Sequence, residues 1–262
     1  GGIAKRFSDD DGKTWSIPEI IYKDEYDDRV GSGGILDDGE IIIFFGRLQM
    51  TGVWTGYYVD IGYISSKDNG DTWSGMQYVE AAGKSLLFMD LFKIPGKSGY
   101  FCTTYGSYYA DIRYSDDGHS WDSVYTKFDY RDNHELNIAE PIFTPVGDGK
   151  IIGLFRVDRT SVLQTVSADN GMTWSTPVPT TLANGSFCSY PFNIYDEKLN
   201  KLYTIVCDRP GADYDVINYN SGAWVYCNDP NIIFDDPHGY GNCRFVMRGN
   251  PNIFRQLGYP LS

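Results

Sequence analysis

An octapeptide with the pattern Ser-x-Asp-x-Gly-x-Thr-Trp occurs three times in this chain, at Ser8–Trp15, Ser66–Trp73 and Ser167–Trp174. A fourth, weaker copy is Tyr114–Trp121, in which Asp116 takes the Asp position and Ser replaces Thr. Successive copies start about 50 residues apart, which is the length of one four-stranded propeller blade. The repeat therefore predicts an all-β fold, a β-propeller of four-stranded antiparallel blades.

Each octapeptide has the composition of a tight turn between two strands. The Gly tolerates the positive φ that such turns require, and the Asp can accept hydrogen bonds from backbone N–H groups of the turn. The Trp can bury its ring against a neighbouring blade while its indole N–H donates to a backbone acceptor. These residues therefore predict structural turns and not groups that act on a substrate.

The octapeptide resembles the Asp-box, or BNR repeat, of the sialidase superfamily, and the resemblance covers roughly residues 3–245. In that family the box joins the two outer strands of a blade, away from the central ligand pocket. The resemblance also extends to sialidase-like propellers in phage tail receptor-binding proteins, where the propeller serves as a platform. It implies the fold, and the function must be argued from residues at the mouth of the central channel.

Apolar segments and turn signals divide the chain into an N-terminal half-blade and four longer units. We expect the last unit, Tyr190–Asn220, to end in a degenerate octapeptide at Ser221–Trp224. Two further strands, Asn242–Met247 and Ile253–Leu257, are expected to complete the half-blade and close the ring. This gives five blades in a single domain over residues 1–262, and the alternative is six blades with missing N-terminal strands.

Composition limits the partners of the chain. The formal net charge of -13 argues against nucleic acid and anionic membranes. The longest apolar run, Ile41–Phe45, is too short to span a membrane, and no signal peptide is visible. Aromatic residues make up 16% of the chain, which suits sugar stacking as well as sheet packing. The resemblance to sialidases and phage tail propellers implies a glycan-binding protein that is extracellular or virion-associated.

Two segments carry candidate binding residues. The segment that begins at Arg29 resembles the Arg-Ile-Pro motif of the first sialidase blade, with Gly31 in the Pro position. The resemblance implies that Arg29 belongs to a three-arginine cluster that grips the sialic acid carboxylate, a task that suits the bidentate guanidinium. The segment from Glu140 to Arg156 resembles the one in which a Glu precedes a strand, a turn and a second clamping Arg. The candidates for the third arginine are Arg209, Arg244 and Arg159.

The resemblance implies that Glu140 tunes a tyrosine nucleophile. Tyr240 lies in a segment similar to the family's Gly-Tyr turn, and Tyr190 is the rival. A phenol with a pKa of ~10 needs a carboxylate to take its proton. Because the chain has 21 tyrosines, simple packing is the alternative role for either residue.

One departure bears on the reaction. Thr55 stands where the family has its acid/base Asp, and Asp60 matches a non-catalytic position. Without a positioned carboxylic acid, protonation of a leaving oxygen is difficult. Three functions therefore stay open: an exo-sialidase, a non-catalytic glycan-binding or platform module, and a glycosidase that uses Asp27 or Asp28 with Glu140.

Aromatic residues of the predicted mouth loops could pack against sugars, and they are Trp54, Tyr57, Tyr58, Tyr105, Tyr108 and Tyr109. The alternative is a hydrophobic lid on the propeller. His119 and His134 lack the spacing of metal ligands. No metal or other cofactor is therefore expected.

Overall fold

The computed structural model describes residues 1–52, 55–79, 87–132, 136–157, 162–182, 187–188, 191–209, 222–241 and 243–248. Within these residues the chain forms five antiparallel sheets and one short helix. The prediction of an all-β fold is confirmed. No helix in this described part is long and apolar enough to cross a membrane.

The sheets follow one another along the chain. The first sheet has two strands, β1 (Ile3–Lys5) and β2 (Glu19–Tyr22). The second sheet contains β3 (Asp27–Ile35), β4 (Ile41–Met50), β5 (Gly56–Ser66) and β6 (Gln77–Tyr78). The third sheet contains β7 (Leu87–Phe92), β8 (Tyr100–Gly106), β9 (Tyr109–Ser115) and β10 (Ser123–Asp129).

The fourth sheet contains β11 (Ile138–Gly147), β12 (Lys150–Val157), β13 (Leu163–Ser167) and β14 (Val178–Pro179). The fifth contains β15 (Phe187–Cys188), β16 (Phe192–Asp196), β17 (Lys201–Arg209), β18 (Gly222–Asn228) and β19 (Cys243–Arg248). We call β3, β7, β11 and β16 the inner strands, because β3 contacts β7, β7 contacts β11, and β11 contacts β16.

A separate apolar core fills the space between each pair of successive sheets. Ile3 of the first sheet packs with Phe45 and Ile64 of the second. The next three cores are centred on Phe44 with Phe88, on Phe101 with Phe143, and on Leu154 with Leu202. Burial of each such side chain contributes about 1.5–3 kcal/mol, so the sheets stabilise one another in series.

The three complete octapeptides form the predicted turns. In the turn between β5 and β6, Ser66 Oγ donates to Asp68 Oδ1 at 2.7 Å, and the backbone N–H of Thr72 donates to the same oxygen at 2.9 Å. Trp73 Nε1 donates to the carbonyl oxygen of Gly70 at 3.1 Å. The Thr72 hydroxyl also bonds to Asp68 and lowers the pKa of this carboxyl to about 2. Asp is therefore the acceptor that closes the turn.

The fourth copy of the turn is one residue shorter, and the prediction for Asp116 is wrong. Asp117 takes the Asp position: it accepts from Ser115 Oγ at 2.9 Å and from the Ser120 N–H at 2.8 Å. The three complete turns place an extra residue with positive φ before the Gly, namely Asp11, Asn69 and Asn170. The fourth turn has no equivalent residue, so its acceptor moves by one position.

The fifth sheet departs from the predicted pattern at its third strand. The described part of Ser221–Trp224 is not a turn, because Trp224 lies in β18 and pairs with Val206 of β17. The helix α1 (Pro230–Asp235) stands where the other sheets have an octapeptide. Asp229 caps it by accepting from the Asn231 N–H, and Pro at the first helical position favours this start. Ile233 of α1 is fully buried against the fourth sheet.

The prediction that Asn242–Met247 joins the N-terminal half-blade is also wrong. Within the described residues, β19 (Cys243–Arg248) pairs with β18 and is the outermost strand of the fifth sheet. The other strand expected to close the ring, Ile253–Leu257, lies outside the described residues.

Candidate functional site

The inner strands of three successive sheets each contain a β-bulge. The bulges lie at Gly31 in β3, at Asp90 in β7 and at Glu140 in β11. Asp90 and Glu140 have φ values of 59° and 43°, which are uncommon for residues other than Gly. A bulge interrupts the regular alternation of side chains between the two faces of a sheet. The side chains of Asp90 and Glu140 therefore do not follow that alternation.

The three bulges adjoin one another. A Cβ atom added to Gly31 would lie 2.0 Å from the Phe88 carbonyl oxygen, so β3 and β7 are in backbone contact there. The Thr103 hydroxyl bonds to the carbonyl oxygen of Met89 and lies 3.5 Å from that of Pro141. These two carbonyls directly neighbour Asp90 and Glu140 in sequence. The backbones of the three inner strands therefore adjoin at these bulges.

Glu140 and Arg156, which the sequence analysis pairs, form a salt bridge. Arg156 Nη1 donates to Glu140 Oε2 at 2.7 Å. Only 14% of the Arg156 side chain and 8% of the Glu140 side chain are exposed. A charge-assisted bond in such a setting is stronger than its exposed counterpart. It fixes the position of the Glu140 side chain at the bulge of β11.

Arg29 lies near the start of β3 and is more accessible. Its Nε donates to Asp27 Oδ2 at 3.0 Å, and 48% of the side chain is exposed. An exposed ion pair of this kind contributes about 0–1 kcal/mol. Arg29 can therefore exchange this partner for a ligand at little cost.

Tyr58 of β5 lies within electrostatic range of both Arg29 and Glu140. Burial raises the pKa of the Tyr58 phenol, and Arg29, which is hydrogen-bonded to it, opposes this rise. The negative charges of Glu140 and Asp27 raise the pKa further. Arg29, Tyr58 and Glu140 therefore share one electrostatic environment. From the sequence, Tyr58 is expected to be a stacking residue of a loop, whereas it lies in β5 and is influenced by the charge of Glu140 on β11.

Asp28 is a buried carboxyl beside Arg29. It is 8% exposed, and neither oxygen has a hydrogen-bond donor among the described residues. Burial raises its pKa to about 6, and the negative charge of Asp24 contributes. Arg47, which pairs with Asp28 across β3 and β4, bonds instead to Asp60 and Asp24.

Asp90 is a candidate that the sequence analysis does not name. Burial raises the pKa of its carboxyl to about 7. It accepts one long hydrogen bond, from the Phe143 N–H at 3.4 Å. A signal exists in the sequence, since Asp90 is the one charged residue in the apolar segment Leu87–Phe92.

Tyr240 is not brought to this region. It is 6% exposed, lies near the third strands β13 and β18, and donates from its hydroxyl to Gln164 Oε1 at 2.7 Å. Burial raises its pKa strongly. These contacts give Tyr240 a packing role between the fourth and fifth sheets.

Of the other predicted site residues, Tyr57 has a described side chain, and several others lie partly or wholly outside the described part of the chain. Tyr57 is 60% exposed on β5. Arg209 ends β17 and Arg244 lies in the outermost strand β19, and their side chains lie outside the described part. Three further residues lie wholly outside the described residues: Trp54, Arg159 and Tyr190. No group of three or more His, Cys, Asp or Glu in the described ranges is arranged to hold a metal ion.

Thr55 is a turn residue without a carboxyl group. Its carbonyl oxygen accepts from the Thr51 N–H at 2.9 Å, which closes the connection from β4 to β5. The position that the resemblance assigns to an acid therefore supplies none.

Comparisons with known proteins show which fold family this chain is similar to. A family model described as a BNR repeat-like domain matches residues 2–204. No curated protein sequence matches the chain. A solved protein of unknown function from Dyadobacter fermentans is 14% identical with a TM-score of 0.67, over 93% of this chain and 71% of the other.

Two solved sialidases are also similar in structure to this chain. The NanB sialidase from Streptococcus pneumoniae is 14% identical with a TM-score of 0.61, over 94% of this chain and 56% of the other. The intramolecular trans-sialidase from Ruminococcus gnavus has the same identity and TM-score, over 92% of this chain and 77% of the other. At this identity the likeness shows the fold, and the chain spans little more than half the length of NanB.

Proposed function

Because the chain belongs to the BNR repeat-like domain family, we propose that it is a sialidase-like, carbohydrate-recognising module that binds terminal sialic acid or a related glycan. The single observation that carries the proposal is the joining of Arg29, Tyr58 and Glu140 in one environment. A cation, an aromatic ring and a carboxylate are the groups with which proteins hold an acidic sugar.

Arg29 binds the sugar carboxylate in this proposal. Its exposure and its weak partner Asp27 leave the guanidinium able to form a bidentate pair with a ligand. The Tyr58 ring packs against an apolar face of the sugar, and Glu140, held by Arg156, accepts hydrogen bonds from its hydroxyl groups. Arg209 and Arg244 remain proposed further contacts of the same ligand.

We propose five blades in a single domain over residues 1–262. In this proposal the first sheet, which contains β1 and β2, is the outer half of the fifth blade. Trp15 supports this, because its side chain is 58% exposed whereas Trp121, at the same position of the third sheet, is 1% exposed. Trp121 packs against the preceding sheet, and Trp15 needs an equivalent neighbour. Six blades are the alternative.

If the module is catalytic, it is a glycoside hydrolase of the exo-sialidase type, and Glu140 is its central carboxylate. Tyr58 then replaces Tyr240 as the tyrosine beside Glu140, because Tyr240 is buried elsewhere. A second candidate function is a non-catalytic receptor-binding or platform module of a phage tail or cell-surface protein, which the lack of an acid at Thr55 favours. Because the proposed partner is a glycan, we propose that either module is extracellular or virion-associated.

The test is glycan binding by the wild type and by Arg29→Ala, measured on a glycan array and by calorimetry. Arg131→Ala is the matched control, because Arg131 is also bonded to an Asp two residues earlier and is 51% exposed. We expect Arg29→Ala to weaken binding of sialosides at least tenfold, about 1.4 kcal/mol, and Arg131→Ala to leave it unchanged. Equal affinity of both variants would refute the proposal.

A further inference from the structure

Arg47 of β4 holds together two parts of the chain that lie far apart in sequence. Its Nε donates to Asp60 Oδ1 of β5 at 2.6 Å, and its Nη2 donates to the other oxygen of the same carboxylate. Its Nη1 donates at 3.0 Å to Asp24 Oδ2, in the connection between β2 and β3. Only 12% of the Arg47 side chain is exposed, so these charge-assisted bonds are strong. Arg47 therefore fastens the connection from the first sheet onto the second sheet.

Aromatic rings around the Arg47 guanidinium hold the same connection from a second direction. The centroid of the Tyr26 ring lies 4.7 Å from Arg47 Cζ, and that of the Tyr78 ring lies 5.5 Å from it, within the range of a cation–π contact. Asp24 Oδ1 accepts from the Tyr26 N–H at 2.7 Å, and Asp24 Oδ2 accepts from the Tyr22 hydroxyl at 2.9 Å. Asp24 and Tyr26 are therefore held both by Arg47 and by each other.

This connection leads directly into the strand that carries Arg29. Tyr26 is followed by Asp27, which is the first residue of β3 and the ion-pair partner of Arg29. Arg29 pairs across the strands with Gly46, the residue next to Arg47. Arg47 thus acts on the start of β3 both through the preceding connection and through the neighbouring strand.

The acidic groups around Arg47 depend on its positive charge. Asp24 and Asp60 both form ion pairs with it. The buried Asp28 lies close enough to Asp24 to be affected by its negative charge, and its oxygens have no hydrogen-bond donor among the described residues. Removal of Arg47 would leave these carboxyl groups next to the start of β3 without the guanidinium that offsets them, and like charges repel. We therefore expect the start of β3 to become less rigid when Arg47 is lost.

From these contacts we propose that Arg47 is a positioning residue for glycan binding, which holds the start of β3 so that the Arg29 guanidinium keeps the orientation that binds the sugar carboxylate. Arg47 itself does not touch the ligand. The inference rests on the proposed function, in which Arg29 binds that carboxylate. Such preorganisation strengthens binding, because less side-chain freedom is lost when the ligand binds.

The competing explanation is that Arg47 only stabilises the fold. Arg113 of β9 offers a matched comparison, because it is also buried and also bonded to an aspartate, Asp111 of the same strand, at 3.3 Å. It also donates to Thr104 Oγ1 and to the Trp121 carbonyl oxygen, within the third sheet and its turn. Loss of either arginine should reduce stability, whereas loss of Arg47 should in addition affect Arg29.

The experiment measures affinity for a soluble sialoside by NMR titration, below the unfolding transition of the least stable variant. Arg47→Met and Arg113→Met are each introduced into the wild type and into Arg29→Ala. In the wild type, we expect Arg47→Met to weaken binding about threefold to tenfold, the cost of immobilising one long side chain, and Arg113→Met to leave affinity unchanged. In Arg29→Ala, Arg47→Met should have no further effect, because a positioning residue acts through the residue that it positions.

No loss in Arg47→Met, an equal loss in both backgrounds, or an equal loss in Arg113→Met would overturn the proposal. Arg47→Lys is the second variant in case Arg47→Met does not fold. Lysine keeps the charge but cannot form a forked bond with Asp60 and also reach Asp24, so it should show the same pattern with a smaller loss.

Nitrogen-15 relaxation of the Arg29 Nε–H group adds a readout that needs no ligand. We expect this group to become more mobile in Arg47→Met and to stay unchanged in Arg113→Met. Unchanged mobility in Arg47→Met would also overturn the proposal. If the wild type binds no sialoside, the proposed function fails, and the relaxation of Arg29 alone decides whether Arg47 orders it.

Discussion

Arg156 Nη1 lies 2.7 Å from Glu140 Oε2, and this bond joins the second strand of the fourth sheet to a residue of its inner strand with φ of 43°. Both side chains are largely withdrawn from solvent. The pair therefore holds a strained residue in place, and the charge of Glu140 contributes to the raised pKa of Tyr58. Strain retained in this way is typical of functional sites.

Removal of Arg156 should destabilise the fold. Arg156→Met leaves the Glu140 carboxylate buried without its cation, and we expect a loss of about 3 kcal/mol in the free energy of unfolding. Urea unfolding of both single variants and of Arg156→Met with Glu140→Gln measures their coupling. A double variant whose loss equals the sum of the single losses would show that the pair is energetically unimportant.

The short turn of the third sheet offers a direct comparison of neighbouring residues. Asp117→Ala removes the acceptor of the Ser120 N–H and the Ser115 hydroxyl and should cost about 1 kcal/mol. Asp116→Ala should cost much less, because the bond of Asp116 within the described part of the chain is to the Tyr114 hydroxyl at the surface. Thermal unfolding checks this order. The reverse order would mean that the sequence register of the octapeptide holds after all.

The turn at Asp117 shows which features of the fold can be predicted from the sequence and which cannot. Gly and Trp recur at fixed positions because their roles are local, and they identified all four turns. The shift from Asp116 to Asp117 depends on one residue with positive φ that is missing before Gly118, which a pattern of side chains does not reveal. The replacement of a turn by α1 had a local signal, Asp229 followed by Pro230, which the sequence analysis does not use.

For the candidate site, sequence spacing paired Glu140 with Arg156, because both lie on adjacent strands of one hairpin. It did not find Tyr58 or Asp90, whose importance arises from contacts between different sheets. Tyr240 was chosen by resemblance, and its burial next to Gln164 depends on packing between the fourth and fifth sheets. Contacts within a sheet are thus accessible from sequence, and contacts between sheets are not.

Asp28 should make stability depend on pH. Its pKa is raised from 3.8 to about 6 in the folded state, so the folded protein binds the proton more tightly than the unfolded chain. Its contribution is therefore fully present below about pH 4 and is lost as the pH rises through 6. Asp28→Asn should raise the melting temperature by a few degrees at pH 8 and change it little at pH 4. A variant with the same shift at both pH values would contradict this reasoning.

The two tyrosines should separate stability from binding. Tyr240→Phe removes the bond to Gln164 and should cost about 1 kcal/mol of stability with glycan affinity unchanged. Tyr58→Phe removes the hydroxyl beside Arg29 and Glu140 and should weaken glycan binding several-fold with little effect on stability. Calorimetric titration measures the glycan affinity of each variant, and thermal unfolding measures its stability. Loss of binding in Tyr240→Phe alone would restore Tyr240 as the site tyrosine.

The most direct test of the central claim is a crystal structure of the chain with a bound sialoside. The account predicts that the sugar carboxylate lies within hydrogen-bonding distance of Arg29, with the ring against Tyr58. A sialoside bound only at the octapeptide turns or on the outer strands would contradict the assignment of the site to the inner-strand bulges.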